Sequence, residues 1–117
     1  MKKTNPVLKR TIAELEEKGR KEDVDVWKDL SERLKRARRK QRSVNLSKID
    51  RYTEEGETVV VPGKVTGSGK ITKKVTVAAV GFSDQARSRI EEVGTAVDIR
   101  DLVDKNPSGK GIKIMEG

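Results

Sequence analysis

Val75-Thr76-Val77-Ala78-Ala79-Val80-Gly81-Phe82 is a long apolar run that contains no charged residue. A short apolar run rich in β-branched residues, without polar alternation, is typical of a strand that is buried on both faces. We therefore expect Val75–Phe82 to be the central, most buried strand of an α/β body.

Upstream of this run, the sequence after Ser43 contains two shorter β-like segments. Val44-Asn45-Leu46 is brief, whereas Thr58-Val59-Val60-Val61 has the composition of a full strand. Pro62-Gly63 is expected to end that strand, because both residues favour turns.

Downstream, helical and extended patterns alternate. Ser83 is a good N-cap, Asp84 is favourable in a first helical turn, and Gly94 is expected to end the helix between them. Its predicted inner stripe consists of Ala86, Ile90 and Val93. The segments that follow are a short strand around residues 96–99, about one helical turn at 101–104, a loop at 106–111 and a terminal strand at 112–115.

The first third of the chain has helical periodicity. Asn5-Pro6 predicts a helix start, Gly19 a plausible end, and Asp25 the cap of a second helix. Apolar stripes at helical spacing are formed by Leu8, Ile12 and Leu15 in the first helix and by Trp27, Leu30, Leu34 and Ala37 in the second. The sequence thus predicts N-terminal helices over residues 1–42 and an α/β body over 43–117, in one structural unit.

Composition excludes several classes of chemistry. The 117 residues include no Cys and no His, which removes disulfides, thiolate nucleophiles, zinc–thiolate sites and histidine-based catalysis. Neither a signal peptide nor a membrane-spanning run is present, which predicts a soluble intracellular protein. With 32% hydrophobic residues the core is lean, and binding to a partner is expected to supply part of the stability.

The chain carries a formal net charge of +8, and the positive charge lies in separate patches. Residues 1–50 hold 16 basic and 9 acidic residues, residues 63–81 hold 4 basic and no acidic ones, and residues 105–117 hold 3 and 1. Between these patches lie two stretches with excess acid, residues 51–62 and 82–104. This pattern favours a folded protein with a defined side facing nucleic acid.

Residues 33–42 form the densest basic run, with seven Lys or Arg among ten residues and no acid. On the second helix, Arg33, Arg36 and Lys40 should line one side, flanked by Lys35, Arg38, Arg39 and Arg42. A polyanion such as nucleic acid would neutralise this run through release of condensed counterions. The alternative is a solvated helix face that only keeps the protein soluble, although such faces usually mix both signs.

Gly67-Ser68-Gly69-Lys70 invites comparison with phosphate-binding loops. The nucleotide-triphosphate motif fails, because Lys64 occupies its first glycine position and Ile71 follows Lys70. The dinucleotide fingerprint fails at Thr72. The favoured interpretation is a flexible turn between strands. The compatible alternative is a loop whose small residues let backbone amides approach RNA phosphates, with Lys64, Lys70, Lys73 and Lys74 around it.

Other candidate sites are weak. Carboxylates at positions 14, 16, 17, 54, 55 and 57 lie in mixed-charge stretches without an apolar pocket pattern, so they are interpreted as solvated surface. Trp27 shares a stripe with Leu30 and Leu34 and is interpreted as a core residue. Three classes remain open on these grounds: an RNA-scaffold protein, a DNA-binding regulator and a weak carboxylate enzyme.

Arg42-Ser43-Val44-Asn45-Leu46-Ser47-Lys48-Ile49, directly after the basic helix, resembles the hallmark segment of a large-subunit ribosomal protein family, the archaeal and eukaryotic protein eighteen of the "e" type. Further segments match the same family in order over essentially the whole chain: residues 60–69, residues 71–79, Phe82-Ser83 and residues 106–111. The chain lacks the basic C-terminal extension of eukaryotic members, which indicates an archaeal origin.

The resemblance implies an α/β fold with an irregular β-β-α superhelical core, shared with bacterial ribosomal protein fifteen. It implies a structural, non-enzymatic constituent of the large ribosomal subunit in the cytoplasm, without cofactor or metal. The expected partners are large-subunit ribosomal RNA and neighbouring ribosomal proteins, with no membrane and no small-molecule substrate.

We expect the basic helix end and the Asn45–Lys48 segment to contact one set of RNA phosphates and a Lys64–Lys74 hairpin to contact another, by shape more than by base reading. The candidate RNA-binding residues are Arg33, Lys35, Arg36, Arg38, Arg39, Lys40, Arg42, Asn45, Ser47, Lys48, Lys64, Lys70, Lys73, Lys74, Lys110 and Lys113.

Overall fold

The computed structural model describes residues 6–37, 43–106, 109 and 111–115. After an all-helical start, helices are interspersed with strands, and β2 and β3 follow each other without a helix between them, so the predicted α/β class with an N-terminal helical segment is confirmed. In chain order they are α1 (Pro6–Glu22), α2 (Asp25–Ala37), β1 (Val44–Asn45), α3 (Leu46–Tyr52), β2 (Thr58–Thr66), β3 (Thr76–Phe82), α4 (Asp84–Val93), β4 (Thr95–Asp98), α5 (Ile99–Lys105) and β5 (Ile112–Ile114).

The strands form one sheet in which every described pairing is parallel. The order is β1-β2-β3-β4, and β5 also pairs with β2. Since β3 occupies one side of β2, the other side is shared: β5 covers residues 58–60 and β1 covers residues 65–66. Pro62, which has no N–H to donate, lies between these two short pairings.

Alternate residues of the central strands enter opposite hydrophobic clusters. Val59 and Val77 point to the face covered by α3 and α4, whereas Val60 and Ala78 point to the face covered by α1, α2 and α5. The prediction of a strand buried on both faces is confirmed for residues 77–79. It is wrong for residues 80–82, which are half-buried, and β2 has more buried positions than β3.

The N-terminal helices pack as an antiparallel hairpin on one face of the sheet. The predicted starts at Pro6 and Asp25 are confirmed, and Trp27 is fully buried in the core as expected. Gly19, however, does not end α1, which continues to Glu22. This glycine is needed for packing, because a Cβ there would lie 2.7 Å from Cγ of Lys28 in α2.

Two corrections concern the strands and helices near β2. Pro62-Gly63 does not end β2, which continues to Thr66 with a register shift between Val61 and Lys64. Proline is tolerated there because it sits at the irregularity, on the side left open between β5 and β1. The sequence also gave no indication of α3, which begins at Leu46, where the first strand was expected to continue.

Two further corrections concern the later helices. Val93 does not belong to the inner stripe of α4, since it is 39% exposed, whereas Ala86 and Ile90 are fully buried. Val93 lies on the same helical face as Ala86, but it is the last residue of α4, before the cap at Gly94, where the end of the helix is exposed. The predicted single turn at residues 101–104 is the middle of α5, which buries Ile99 and Leu102 and runs to Lys105.

Candidate nucleic-acid interface

The parallel sheet has two chemically distinct ends. The strands β1, β2 and β3 finish together at Asn45, Thr66 and Phe82, and we call this the carboxyl end of the sheet. The opposite side, where β2 and β3 begin at Thr58 and Thr76, is the amino end. Connecting segments at the carboxyl end are the usual position of ligand sites in open parallel sheets.

Two helices start at the carboxyl end because residues with short polar side chains cap them. The Asn45 side-chain oxygen accepts a hydrogen bond from the Lys48 N–H at 2.9 Å, and Ser83 Oγ accepts one from the Ala86 N–H at 3.1 Å. The Ser83 N–H in turn donates to the carbonyl of Val65 at 2.9 Å, which fixes the start of α4 to the end of β2. The predicted caps at Ser83 and Gly94 are thereby confirmed.

The segment Gly67–Lys70, called the glycine loop from here on, lies between these two helix starts. The Ser47 N–H of α3 donates to the Ser68 carbonyl at 3.2 Å. Gly69 has a φ of 95° and lies so close to Ser47 that a Cβ would collide with its hydroxyl and backbone nitrogen. A Cβ on Gly67 would lie 2.8 Å from the Gln85 side chain of α4. Small residues are required here by close packing as well as by backbone conformation.

Five of the predicted RNA-binding residues lie at or next to the carboxyl end: Asn45, Ser47, Lys48, Lys64 and Lys70. The side chains of Lys64 and Lys70 are exposed. Among the residues that the structure describes, no carboxylate lies within ion-pair distance of either. Their charge is therefore available to an external anion.

Three other predicted residues lie near the amino end, and two of them are engaged within the protein. Lys73 Nζ donates to the carbonyls of Asp50 and Thr53 at 2.6 and 2.7 Å. Lys113 Nζ donates to the carbonyl of Tyr52 at 3.0 Å and to Glu57 at 3.3 Å. These carbonyls belong to the last turn of α3, where unpaired backbone oxygens and the helix dipole attract cations.

The third, Lys74, is exposed, and its backbone is bound to the acidic stretch before β2. Its N–H donates to Glu55 at 3.1 Å, and its carbonyl accepts from the Gly56 N–H at 2.7 Å. The predicted Lys64–Lys74 hairpin is wrong, because β2 and β3 are parallel and the connection between them crosses from the carboxyl end to the amino end. Lys64 and Lys74 accordingly lie at opposite ends of the sheet.

The described cations of the basic helix are paired with acids. Arg33 Nε donates to Asp29 at 3.2 Å, and Lys35 bonds Glu16 of α1 as well as Glu32 at 3.4 Å. The hydrogen bond with Glu16 raises the pKa of Lys35 above its usual value. The backbone of Arg36 lies in α2, and the predictions for its side chain and for Arg38, Arg39, Lys40, Arg42 and Lys110 lie outside the described residues.

The carboxylates interpreted as solvated surface are partly structural. Glu14 of α1 forms a bidentate pair with Arg100 of α5, with both hydrogen bonds 2.9 Å long. The Glu54 N–H and Lys113 lower the pKa of Glu57, in that order of effect. A general acid needs a raised carboxyl pKa, so a lowered one does not suit that role.

Sequence reasoning missed one basic residue at this site, Arg89 of α4. Its Nη1 donates to the carbonyl of Gly67 at 2.9 Å and to that of Gly69 at 2.8 Å. About twenty residues separate the partners, and no local motif links them, so only the fold brings them together.

The described residues contain no helix long and apolar enough to cross a membrane.

The chain is similar to known proteins over nearly its whole length. Residues 5–117 match the family model described as ribosomal protein 60S L18 and 50S L18e. The chain is 48% identical to large ribosomal subunit protein eL18 of Haloarcula marismortui, with 98% of this chain and 99% of that protein covered. Identity is 47% to the proteins of the same name from Halobacterium salinarum and Archaeoglobus fulgidus, at the same coverage. This chain therefore belongs to the family of ribosomal protein 60S L18 and 50S L18e.

Proposed function

We propose that this protein is a structural constituent of the large ribosomal subunit in the archaeal cytoplasm, where it binds and bridges segments of large-subunit ribosomal RNA. Its family is structural rather than enzymatic, in agreement with the predicted absence of catalysis. The observation that carries the proposed RNA site is the carboxyl end of the sheet, where Lys64 and Lys70 are exposed without a described carboxylate partner.

Acids lie at both ends of the sheet, and several of them surround the amino end. Glu54, Glu55 and Glu57 precede β2 at the amino end, and Glu92 lies in the last turn of α4, whose C-terminal cap Gly94 packs against Val75. Lys73, Lys74 and Lys113 lie at the same end, and Asp84 is an exposed acid at the carboxyl end, so neither end has charge of one sign. The support for an RNA contact at the carboxyl end is therefore the exposed pair Lys64 and Lys70 rather than the net charge of that end.

A bridging role requires a second set of contacts, and the basic run supplies a candidate. The run is covalently joined to Ser43, which leads directly into β1 beside the carboxyl half of β2. Cations of the run and cations of the carboxyl end are therefore connected through one short strand. Neutralising phosphates from two RNA segments at once would offset the repulsion between them.

The recognition expected from such a surface is mainly of RNA shape. Lys side chains and backbone groups bind phosphates in any sequence, whereas base-specific single-strand recognition usually needs stacked aromatic rings. Of the three aromatic residues, Trp27 is buried and Tyr52 lies at the end of α3 near the amino end. Phe82 is at the carboxyl end, but it packs partly against the core and Arg87 lies over its ring. Neighbouring ribosomal proteins are the further partners we propose, with the amino end, which carries both acids and lysines, as the surface available to them.

The test compares two double variants with equal loss of charge. Lys64→Gln with Lys70→Gln removes the two cations at the carboxyl end, and Arg20→Gln with Lys105→Gln removes two exposed cations in the last turns of α1 and α5. Binding to large-subunit ribosomal RNA is measured as a function of salt. We expect the first variant to lose roughly 10- to 60-fold at about 0.1 M salt, with a salt slope flatter by about 0.9 per lost contact, a value calibrated on duplexes.

The control variant should keep its affinity within about threefold, because its two charges lie away from the proposed site and salt screens their interaction with RNA. Equal losses in the two variants would show that net charge alone drives binding and would overturn the proposed site. Binding of duplex DNA as tight as that of ribosomal RNA would favour a general nucleic-acid scaffold instead.

A further inference from the structure

The first three carbonyl groups of the glycine loop, those of Gly67, Ser68 and Gly69, are all bound to donors of the protein. Arg89 Nη1 donates to the carbonyls of Gly67 and Gly69, and the Ser47 N–H donates to that of Ser68. One guanidinium nitrogen thus fixes two peptide groups, and the start of α3 fixes the peptide between them. The electronegative side of this loop is turned toward α3 and α4.

The direction of the amide groups follows from peptide geometry. These peptide bonds are trans and planar, so each N–H points opposite to the carbonyl of the preceding residue. Because the carbonyls of Gly67 and Gly69 point to Arg89, the N–H groups of Ser68 and Lys70 must point away from it. Both donors consequently face the side of the loop that is not covered by α4.

These donors have no partner within the described part of the protein. No described backbone or side-chain acceptor bonds the N–H of Ser68 or Lys70, and both residues are exposed. The Lys70 side chain adds an unpaired positive charge at the same place. With the carbonyls of residues 67–69 bound inward, the exposed amides of Ser68 and Lys70 offer hydrogen bonds to an acceptor, and the positive charge of Lys70 favours an anionic one.

We propose that the N–H groups of Ser68 and Lys70 bind backbone phosphate oxygens of RNA, and that Arg89 is the positioning residue that turns them outward. This proposal rests on the proposed function and assigns a specific donor set within the same surface. Without Arg89, the carbonyls of Gly67 and Gly69 lose their shared donor, and only the Ser47 bond and the close packing of the glycines still hold the peptides. A carbonyl turned toward RNA would then oppose the phosphate that the amide had bound.

The central experiment compares Arg89→Gln with Arg87→Gln. Both positions are exposed on α4 and both variants lose one positive charge, but Arg87 interacts with Glu91 and the Phe82 ring rather than with the glycine loop. We expect Arg89→Gln to weaken binding of large-subunit ribosomal RNA by about tenfold, as for the loss of one or two hydrogen bonds. Arg87→Gln should change it by less than about threefold, the weak effect of one screened surface charge.

Two further measurements distinguish positioning from charge. In the free protein, amide hydrogen exchange and ¹H–¹⁵N shifts of residues 67–70 should change in Arg89→Gln and not in Arg87→Gln. Replacing Lys70 by its α-hydroxy analogue removes the N–H and weakens the Gly69 carbonyl as an acceptor for Arg89, while keeping the side chain and its charge, and should weaken RNA binding by roughly three- to tenfold. Arg89→Lys, which keeps one donor nitrogen, should recover most of the affinity.

The proposal is overturned if Arg89→Gln and Arg87→Gln lose equal affinity, or if the α-hydroxy analogue at position 70 binds like the wild type. Either result with Lys64→Gln/Lys70→Gln still impaired would leave the RNA site standing without this donor set. If the lysine double variant also binds normally, the proposed RNA site itself is wrong. Should Arg89→Gln unfold, the analogue at position 70 and Arg89→Lys carry the test.

Discussion

The carboxyl and amino ends of the sheet use the same residue type for different purposes. At the carboxyl end, Lys64 and Lys70 are exposed and have no described carboxylate partner. At the amino end, Lys73 and Lys113 donate to carbonyl oxygens of the last turn of α3. The first pair is available to a ligand, whereas the second stabilises the fold. Topology thus divides a basic patch of the sequence into lysines that are exposed and lysines that are engaged within the fold.

The largest expected effect comes from destabilising β3, the strand that runs between the two ends. Val77→Asp would bury an unpaired carboxylate in the cluster beneath α3 and α4, which should cost several kcal/mol and prevent folding. Val93→Asp places the same charge at a partly exposed position and should cost less than about 1 kcal/mol. Circular dichroism and thermal unfolding measure both. A Val77→Asp variant that melts like the wild type would contradict the core assignment.

The next effect moves charge between the two ends while the total stays constant. Lys64→Glu with Lys70→Glu changes the formal net charge from +8 to +4, and adding Glu54→Lys with Glu92→Lys restores +8. We expect the first pair to weaken ribosomal RNA binding roughly 10²- to 10³-fold, since two contacts are lost and repulsion is added. The added lysines should recover little of that loss. Full recovery in the quadruple variant would remove the distinction between the ends.

A smaller effect separates the two adjacent lysines of the connection. Lys73→Gln should lower the free energy of unfolding by about 1–2 kcal/mol, because a charged donor to two carbonyls is lost. Lys74→Gln removes the same charge from an exposed side chain and should stay within about 0.5 kcal/mol of the wild type. Urea unfolding gives both values. Equal stabilities for the two variants would mean that Lys73 does not support α3.

The smallest expected effect is the loss of stability at acidic pH. The Thr72 N–H, followed by the Thr72 hydroxyl, lowers the pKa of Asp50 below its ordinary value of 3.8, and bonds from the Glu54 N–H and Lys113 lower that of Glu57 below 4.5. A depressed folded pKa contributes stability that is complete above the ordinary value and is lost as pH falls through the folded value. Acid should therefore loosen the contacts around the end of α3 and the amino end before the glycine loop.

Amide exchange followed from about pH 6 to about pH 3 measures this order. Asp50→Asn keeps an oxygen that can accept from Thr72, and it should flatten the acid dependence of stability. If the stability of this variant depends on pH as that of the wild type does, Asp50 has the same pKa in the folded and unfolded states.

The elements that sequence reasoning predicted are those fixed by local chemistry. The ends of α4 are set by Ser83 and Gly94, because a hydroxyl cap and a terminal glycine each act within one helical turn. The uncharged run around Val77 indicated burial on both faces, which only a covered sheet supplies. The missed helix α3 has only seven residues, and Leu46 and Ile49 are its two buried hydrophobic residues, too few for a periodic signal.

The features that could not be predicted depend on contacts between distant residues. Gly67-Ser68-Gly69 has the composition of a tight hairpin turn, but its glycines are required by the approach of Gln85 and Ser47. Whether two strands run parallel is decided by what covers them, not by the residues between them. In the same way, the roles of Lys70 and Lys73 cannot be distinguished from the sequence, because only the fold brings the end of α3 next to Lys73.

The side of β2 that β5 and β1 share has a consequence for the order of folding. Residues 58–60 pair with residues 112–114 across more than fifty positions, whereas β1 reaches β2 across about twenty. Contacts of such long sequence separation form late, because loop closure must come first. Until β5 docks, the first half of β2 remains an open strand that can pair with another chain. Pulse-labelled hydrogen exchange should find the amides of β5 protected last, and aggregation during refolding should increase when Ile112→Asp weakens that docking.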